Sequence, residues 1–357
     1  MFRLFLSFLF GLAALPQYIY IYCIIWYYQD NINQFYAGEN MEHDYFLLQN
    51  YVNDMFVTRK KINHELISQE FMKMLKDEFS DERFEKLLII AGYIPDIYPN
   101  DSSEETLFTK LIEGLVCEWS RRMGFESELI KQKASMEDIK IIIDDKVIVC
   151  DAKSFRLGRS QQAPNAKDFL KLEDIRKWMD RYEKTIGGLV TYPCTHEWKT
   201  SSDIYQYCST KDAPTVMLPY KYLAFLLSAK HRYETQNIIE LWDYVNLFPS
   251  KLDKKMIGGN KTAYWEVINK NIIRITDCPE NDFTKYMHNA DELINNCIVE
   301  NLRLLEEIKL DIVKSIRDRV DLVEDVNQLK EIIIKYQTDS ETELLDKLID
   351  RIKNFRL

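Results

Sequence analysis

The clearest feature in the hydrophobic pattern is a pair of short apolar runs held apart by three charged residues. Ile139-Lys140-Ile141-Ile142-Ile143 is followed by Asp144-Asp145-Lys146 and then by Val147-Ile148-Val149-Cys150. Short β-branched runs bounded by turn-forming acids predict two strands joined by a tight hairpin. Upstream the period lengthens. Residues 41 to about 91 read as two or three amphipathic helices, with Ile62, Leu66, Ile67, Phe71 and Leu75 spaced for one face. Ser102 or Ser103 then caps a further helix, with Glu105 three residues after Ser102 as a capping-box acid. That helix carries Leu107, Leu111, Leu115 and Trp119.

Beyond the hairpin, Leu172 to Tyr182 reads as helix, Ile186 to Tyr192 as a third strand, and Val216 to Leu218 as a possible fourth. Pro193 to Pro214 reads as a long irregular connection, and helices dominate from Tyr220 onward. Residues 298 to 336 are almost unbroken by Gly or Pro. Leu302, Leu305, Ile308, Ile312, Ile316 and Val320 form a repeating stripe there, which serves an intramolecular core or, on the sharper reading, a dimer contact.

The hairpin matters because of the charges at its open end. Val147 to Cys150 runs into Asp151-Ala152-Lys153-Ser154, and side chains two apart on a strand share a face, so Asp151 and Lys153 project together. A tight turn also returns Asp138, which precedes the first run, towards Asp151. Phosphodiester hydrolysis brings an anionic nucleophile to an anionic phosphate, so carboxylates that gather hard cations, beside a lysine that screens developing charge, suit that reaction. An Asp-x-Lys at a strand end is most often a solvated pair; the upstream acid and the apolar strand separate this one from that background. Acid, hairpin, acid-x-lysine is the pattern of the PD-(D/E)xK nucleases.

The residues that follow narrow the resemblance. Read together, Asp151-Ala152-Lys153-Ser154-Phe155-Arg156-Leu157-Gly158-Arg159 and Asn165-Ala166-Lys167-Asp168-Phe169 resemble the HindIII family of type II restriction endonucleases. Gly92-Tyr93-Ile94-Pro95, the stretch from Ser102 to Lys110, and Trp242 with Asn246-Leu247-Phe248-Pro249 are similar to that family as well. The likeness runs from about Met41 to near the C-terminus. It implies an α/β restriction-endonuclease-like fold: a mixed central sheet flanked by many helices, with a helical C-terminal region. It also implies a homodimeric, Mg²⁺-dependent enzyme that cuts both strands of a short palindrome in double-stranded DNA, with AAGCTT the leading target and 5′-phosphates the products. A cognate methyltransferase is the expected functional counterpart, and the cytoplasm the expected location.

Carried over by residue, Asp151 and Lys153 fall on the catalytic acid and lysine, and Asp138 on the upstream metal-binding acid. The family has one more acid before the hairpin, where this chain has Lys131. Glu126, Glu128 or the helix residue Glu113 can replace it, or the site uses fewer acidic ligands; Glu113 is the third metal-binding candidate. Asn165 and Lys167 fall where the family contacts bases, and these side chains can pair with adenine and with guanine in the major groove. Ser154, Arg156, Arg159 and Lys171 complete the expected DNA surface, the two arginines and Lys171 at phosphates. From Lys153 to Lys171 there are five basic residues against the single acid Asp168. The loop from Ser160 to Pro164 is slightly longer than its counterpart, which leaves the target sequence open.

The whole chain is acidic, with a net charge of −10 over 357 residues, which argues against indiscriminate nucleic-acid binding. Its seven cysteines lack C-x-x-C spacing and read as reduced, mostly buried thiols, with Cys150 on the core side of its strand. The five histidines are scattered without metal-ligand spacing. Residues 1–40 break with the rest. Phe2 to Tyr28 carries Arg3 as its one charge, like a signal or membrane segment, but Pro16 interrupts it and the HindIII likeness starts near Met41. The expected organisation is an apolar leader outside the nuclease fold over residues 1–40, with Met41 as the natural start. An endonuclease domain over 41–297 and a helical region over 298–357, packing on the core or a dimer interface, follow it.

Overall fold

The computed structural model describes residues 45–131, 136–157, 171–193, 212–243, 261–321 and 327–353. The apolar leader, the loop carrying Arg159, Asn165 and Lys167, and most of the stretch from Pro193 to Pro214 lie outside these. The chain divides into two compact units: Thr58–Ile298 with Asp350–Leu357, and Val299–Ile349 with the chain up to Val57.

In the larger unit the hairpin forms as the pattern predicts. Strands β3 (Ile139–Ile143) and β4 (Lys146–Ala152) pair antiparallel, with Ile143 opposite Lys146. That register leaves a two-residue turn, Asp144-Asp145, and both residues have positive φ, of 46° and 64°. Short acidic side chains tolerate this left-handed backbone, whose twist matches that of the strands it joins. Ile139, Ile141 and Ile143 alternate into the core, whereas β4 is buried on both faces from Val147 to Asp151, as befits the central strand.

Strand β2 (Glu126–Leu129) flanks β3 antiparallel, and β6 (Thr185–Tyr192) and β7 (Thr215–Pro219) extend the sheet in parallel from β4, giving the order β2-β3-β4-β6-β7. The parallel step from β4 to β6 requires a crossover, supplied in part by helix α5 (Leu172–Met179). It lies tight against the sheet. A Cβ at Gly188 would come within 2.7 Å of Ile175 Cγ2, so only glycine permits this approach. A two-stranded parallel pair, β1 (Tyr93–Ile94) with β5 (Phe155–Arg156), stands apart from the main sheet.

Among the described residues three helices precede β1: α1 (Leu47–Thr58), in the smaller unit for all but its last residue, and α2 (His64–Glu78) and α3 (Asp81–Ile90), in the larger. Ile67, Phe71 and Leu75 of α2 are fully buried as expected, but Leu66 faces outward. It sits one residue from the buried stripe, about 100° around the helix. The 20-residue α4 (Ser103–Arg122) is the buried axis of the unit and packs against α2 and strands β1 to β4. Ser102 caps it, its Oγ accepting from the Glu105 amide. The carboxylate of Glu105 reaches back one residue further than a capping box requires, accepting from the amide of Asp101 at 2.7 Å.

After β7 come α6 (Tyr220–Ser228), α7 (Lys261–Thr276), the 42-residue α8 (Glu280–Asp321) and α9 (Asn327–Lys353). In the smaller unit the buried stripe of α8 is Leu304, Ile308 and Ile312, and Leu345, Leu348 and Ile349 of α9 are buried too. An ion pair joins Lys309 to Asp346. Leu302 and Leu305 are only half-buried, so the stripe turns slightly from the one the spacing suggested; the side chains of Ile316 and Val320 lie outside those described. Among the described residues no helix is long and apolar enough to cross a membrane.

Candidate active site

The site is built where β4 leaves the sheet. Asp151 and Lys153 share a face, and Lys153 Nζ stands 2.6 Å from Asp151 Oδ2. Asp151 is buried while the lysine keeps about a quarter of its side chain in solvent, 26%. Asp138 arrives from the start of β3. Its amide donates to the Cys150 carbonyl at 3.0 Å, and its carboxylate Oδ2 accepts from the Ala152 amide at 2.9 Å. The hairpin thus ties the upstream acid to the backbone between the other two.

The exit of β4 is held by its neighbours. The Lys153 amide donates to the Thr191 carbonyl at 2.7 Å, and Tyr220 donates its hydroxyl to the Lys153 carbonyl at 2.7 Å. Phe155 then donates its amide to Gly92, whose φ of +88° and crowded surroundings suit glycine. A Cβ there would lie 2.6 Å from the Tyr220 ring and 2.7 Å from Pro193. Side chains cannot enter this joint without moving the strand that carries the lysine.

The third acid comes from the helix. Glu113, on the sheet side of α4, is buried and pairs with the equally buried Lys110 one turn earlier. Its charge is felt across the site. Burial pushes the Asp138 carboxyl well above the usual carboxylate range, and the negative charges of Glu113 and Asp151 push in the same direction against the Ala152 amide and Lys153. Burial also raises Glu113, opposed by Lys110 and Lys153 and reinforced by Asp151. Three acids and two lysines therefore share one electrostatic environment. Of the other acids weighed for this place, Glu126 and Glu128 are exposed on the edge strand β2, and Glu128 points to Lys140 at 3.9 Å.

A family model, HindIII restriction endonuclease, matches residues 56–346 and so covers both strands of the hairpin, α4 and every group just described. The chain belongs to the HindIII restriction endonuclease family. Comparison with individually curated proteins found no match. Membership makes the protein a restriction endonuclease, that is, a nuclease and a hydrolase.

The residues expected to face DNA divide sharply in this family member. Arg156 is engaged within the protein: its guanidinium pairs with Glu105 at 2.8 Å and donates to the carbonyls of Tyr98 at 2.7 Å, Pro95 at 3.3 Å and Pro99 at 3.4 Å. With its side chain 14% exposed, it buttresses the loop after β1. The β1–β5 pairing sets Arg156 beside the carbonyls of Pro95, Tyr98 and Pro99, distant in sequence, the first and last of which also accept the Tyr98 and Ser102 amides. Ser154 Oγ is buried and finds no hydrogen-bond partner among the described residues, and Lys171 is exposed just ahead of α5. Arg159, Asn165 and Lys167 lie outside the described residues.

The residue that sequence reasoning missed is Lys110. The sequence gives it no role beyond closing the family-like stretch from Ser102, and no spacing rule announces that both it and Glu113 turn inward.

Proposed function

We propose that the chain is a type II restriction endonuclease of restriction-endonuclease-like fold, acting on a short palindrome in double-stranded DNA as a homodimer. The observation that carries this reading is the grouping of Asp138, Asp151 and Lys153 at the end of β4 inside the family-matched region. Two-fold symmetry of the protein would match that of the site, one catalytic centre to each strand.

Mg²⁺ fits the donor chemistry. Asp138, Asp151 and Glu113 offer hard carboxylate oxygens, and their mutual repulsion is what a divalent cation relieves. Among the described residues no three acidic, His or Cys side chains stand at metal-cage spacing, so a cation would draw these carboxylates closer. When bound, the metal would polarise the scissile phosphate and lower the pKa of water. Asp138 and Asp151 would hold it, with Glu113 as the third oxygen donor. Lys153 would orient the attacking water and offset the charge growing on the phosphate. Asn165 and Lys167 would read bases, and Arg159 and Lys171 would hold phosphates. AAGCTT is the leading target and 5′-phosphates the expected ends.

Plasmid digestion with Mg²⁺, followed by sequencing of the ends, tests the reading. Discrete cuts within one palindrome, each end bearing a 5′-phosphate, support it. Specific DNA binding without cleavage under these conditions would make the protein a silent DNA-binding module instead.

A further inference from the structure

Lys110 and Glu113 form an ion pair of two buried side chains, 10% and 9% exposed, one turn apart on the helix that runs through the middle of the larger unit. Burying both charges costs several kcal/mol per ion before their attraction is counted, and a well-packed apolar pair often serves stability equally well. Packing alone therefore does not call for it. The pair also sits in a particular place. Glu113 feels Asp151 and Lys153, and Asp138 feels Glu113, so an unpaired Glu113 would add a third negative charge to the same pocket.

Each acid of the site already has one oxygen occupied by a donor of the protein itself. Lys153 Nζ lies on Asp151, the Ala152 amide on Asp138, and Lys110 Nζ on Glu113. The Ala152 amide is fixed by the backbone of β4, and the Lys153 ammonium, on a four-carbon stem, belongs to the Asp151-x-Lys153 pair. Lys110 comes from helix α4 instead. Its backbone is anchored, the carbonyl accepting from Ser68 Oγ at 2.9 Å, and its ammonium likewise rides on a flexible four-carbon stem.

We propose that Lys110 is a positioning residue whose ammonium substitutes for metal charge: it holds Glu113 while the site lacks a divalent cation and yields that carboxylate when one binds. The inference rests on the assignment of Glu113 as a metal-binding acid made above. Lys110 thereby lets three acids be buried together in a folded, cation-free protein, at the cost of competing with the cation for Glu113. Removing the lysine should strengthen cation binding, whereas loss of a merely structural ion pair would leave it unchanged or weaken it.

The test is Mn²⁺ titration of the full chain without DNA, followed by electron paramagnetic resonance of the free ion, for Lys110→Met, Lys110→Gln and Glu113→Gln. Both lysine variants are expected to bind Mn²⁺ at least about tenfold more tightly, the scale of removing one nearby positive charge in a protein interior. Glu113→Gln is expected to bind more weakly. Weaker binding by Glu113→Gln with unchanged or weaker binding by the lysine variants overturns the role of Lys110 alone. Unchanged binding by Glu113→Gln instead removes Glu113 from the metal site, and with it the premise. Should the lysine variants fail to fold, the wild-type protein decides. Reductive methylation of Lys110, read by mass spectrometry, should rise on adding Ca²⁺ as the ammonium is released, and an unchanged level overturns the proposal.

Discussion

Asp138 Oδ2 accepts a hydrogen bond of 2.9 Å from the amide of Ala152, the residue between Asp151 and Lys153. One carboxylate thus both contributes charge to the site and closes the backbone at the end of β4. The two roles separate by substitution. Asp138→Asn keeps an acceptor for Ala152 and removes a carboxyl that burial, Glu113 and Asp151 disfavour, so it should be at least as stable as the parent while losing cleavage. Asp138→Ala should lose cleavage and be about 1–2 kcal/mol less stable than Asp138→Asn, because the partly buried amide is left unsatisfied. Urea unfolding of the two variants checks the difference; equal stabilities would show that the hydrogen bond contributes little.

Asp151→Asn and Lys153→Ala should each reduce cleavage at least about a hundredfold, the usual scale for a group that activates water or stabilises transition-state charge. Binding of the DNA site, followed with Ca²⁺ in place of Mg²⁺, should persist. Near-normal cutting by either variant would falsify the placement of the active site at the end of β4.

The two arginines that follow β4 should behave differently. Arg156→Ala removes a guanidinium that bonds to Glu105 and three backbone carbonyls, and should cost about 1.5–3 kcal/mol in unfolding free energy with little change in the salt dependence of DNA binding. Arg159→Ala should leave stability nearly intact and reduce the salt slope of binding by about one. Thermal melts and binding isotherms across a salt series distinguish them. The assignment of Arg159 to phosphate is lost if its variant keeps the parental slope.

Asn165→Ala and Lys167→Ala should each relax discrimination at particular base pairs by roughly 1–3 kcal/mol. The check is competition binding against all single-base variants of the target. A uniform loss across every variant site would instead assign both residues to the backbone.

Away from the site, Glu85 is half-buried and accepts from the Tyr286 hydroxyl at 2.7 Å. Burial holds its carboxyl above the ordinary value despite that bond and another from Ser228. The folded state therefore binds this proton more tightly than the unfolded chain does. Its contribution to stability is full below the unfolded pKa of about 4.3 and declines as pH rises through the raised folded value. Glu85→Gln should flatten stability against pH in that interval. An unchanged profile in urea titrations at successive pH values would contradict the shift.

Much of the site was legible because its logic is local. Period-two burial, a two-residue acidic turn and an acid-x-lysine at the strand end are set by residues within fifteen positions of each other, so Asp138, Asp151 and Lys153 come together in any chain that forms this hairpin. The Ser102 cap and strands β6 and β7 were readable on the same grounds. Arg156 and Lys110 were not. The internal partners of Arg156 are not visible until β1 brings the carbonyls of Pro95, Tyr98 and Pro99 beside it. A lysine on an amphipathic helix looks solvated until α4 is enclosed by α2 on one side and the sheet on the other. The same enclosure separates Glu113 from Glu126 and Glu128, which composition and spacing left equivalent. Sequence by itself determined the short-range geometry, because backbone period and turn chemistry act over a few residues. Only the tertiary structure decided which charges are buried together, because burial depends on segments that meet from distant parts of the chain.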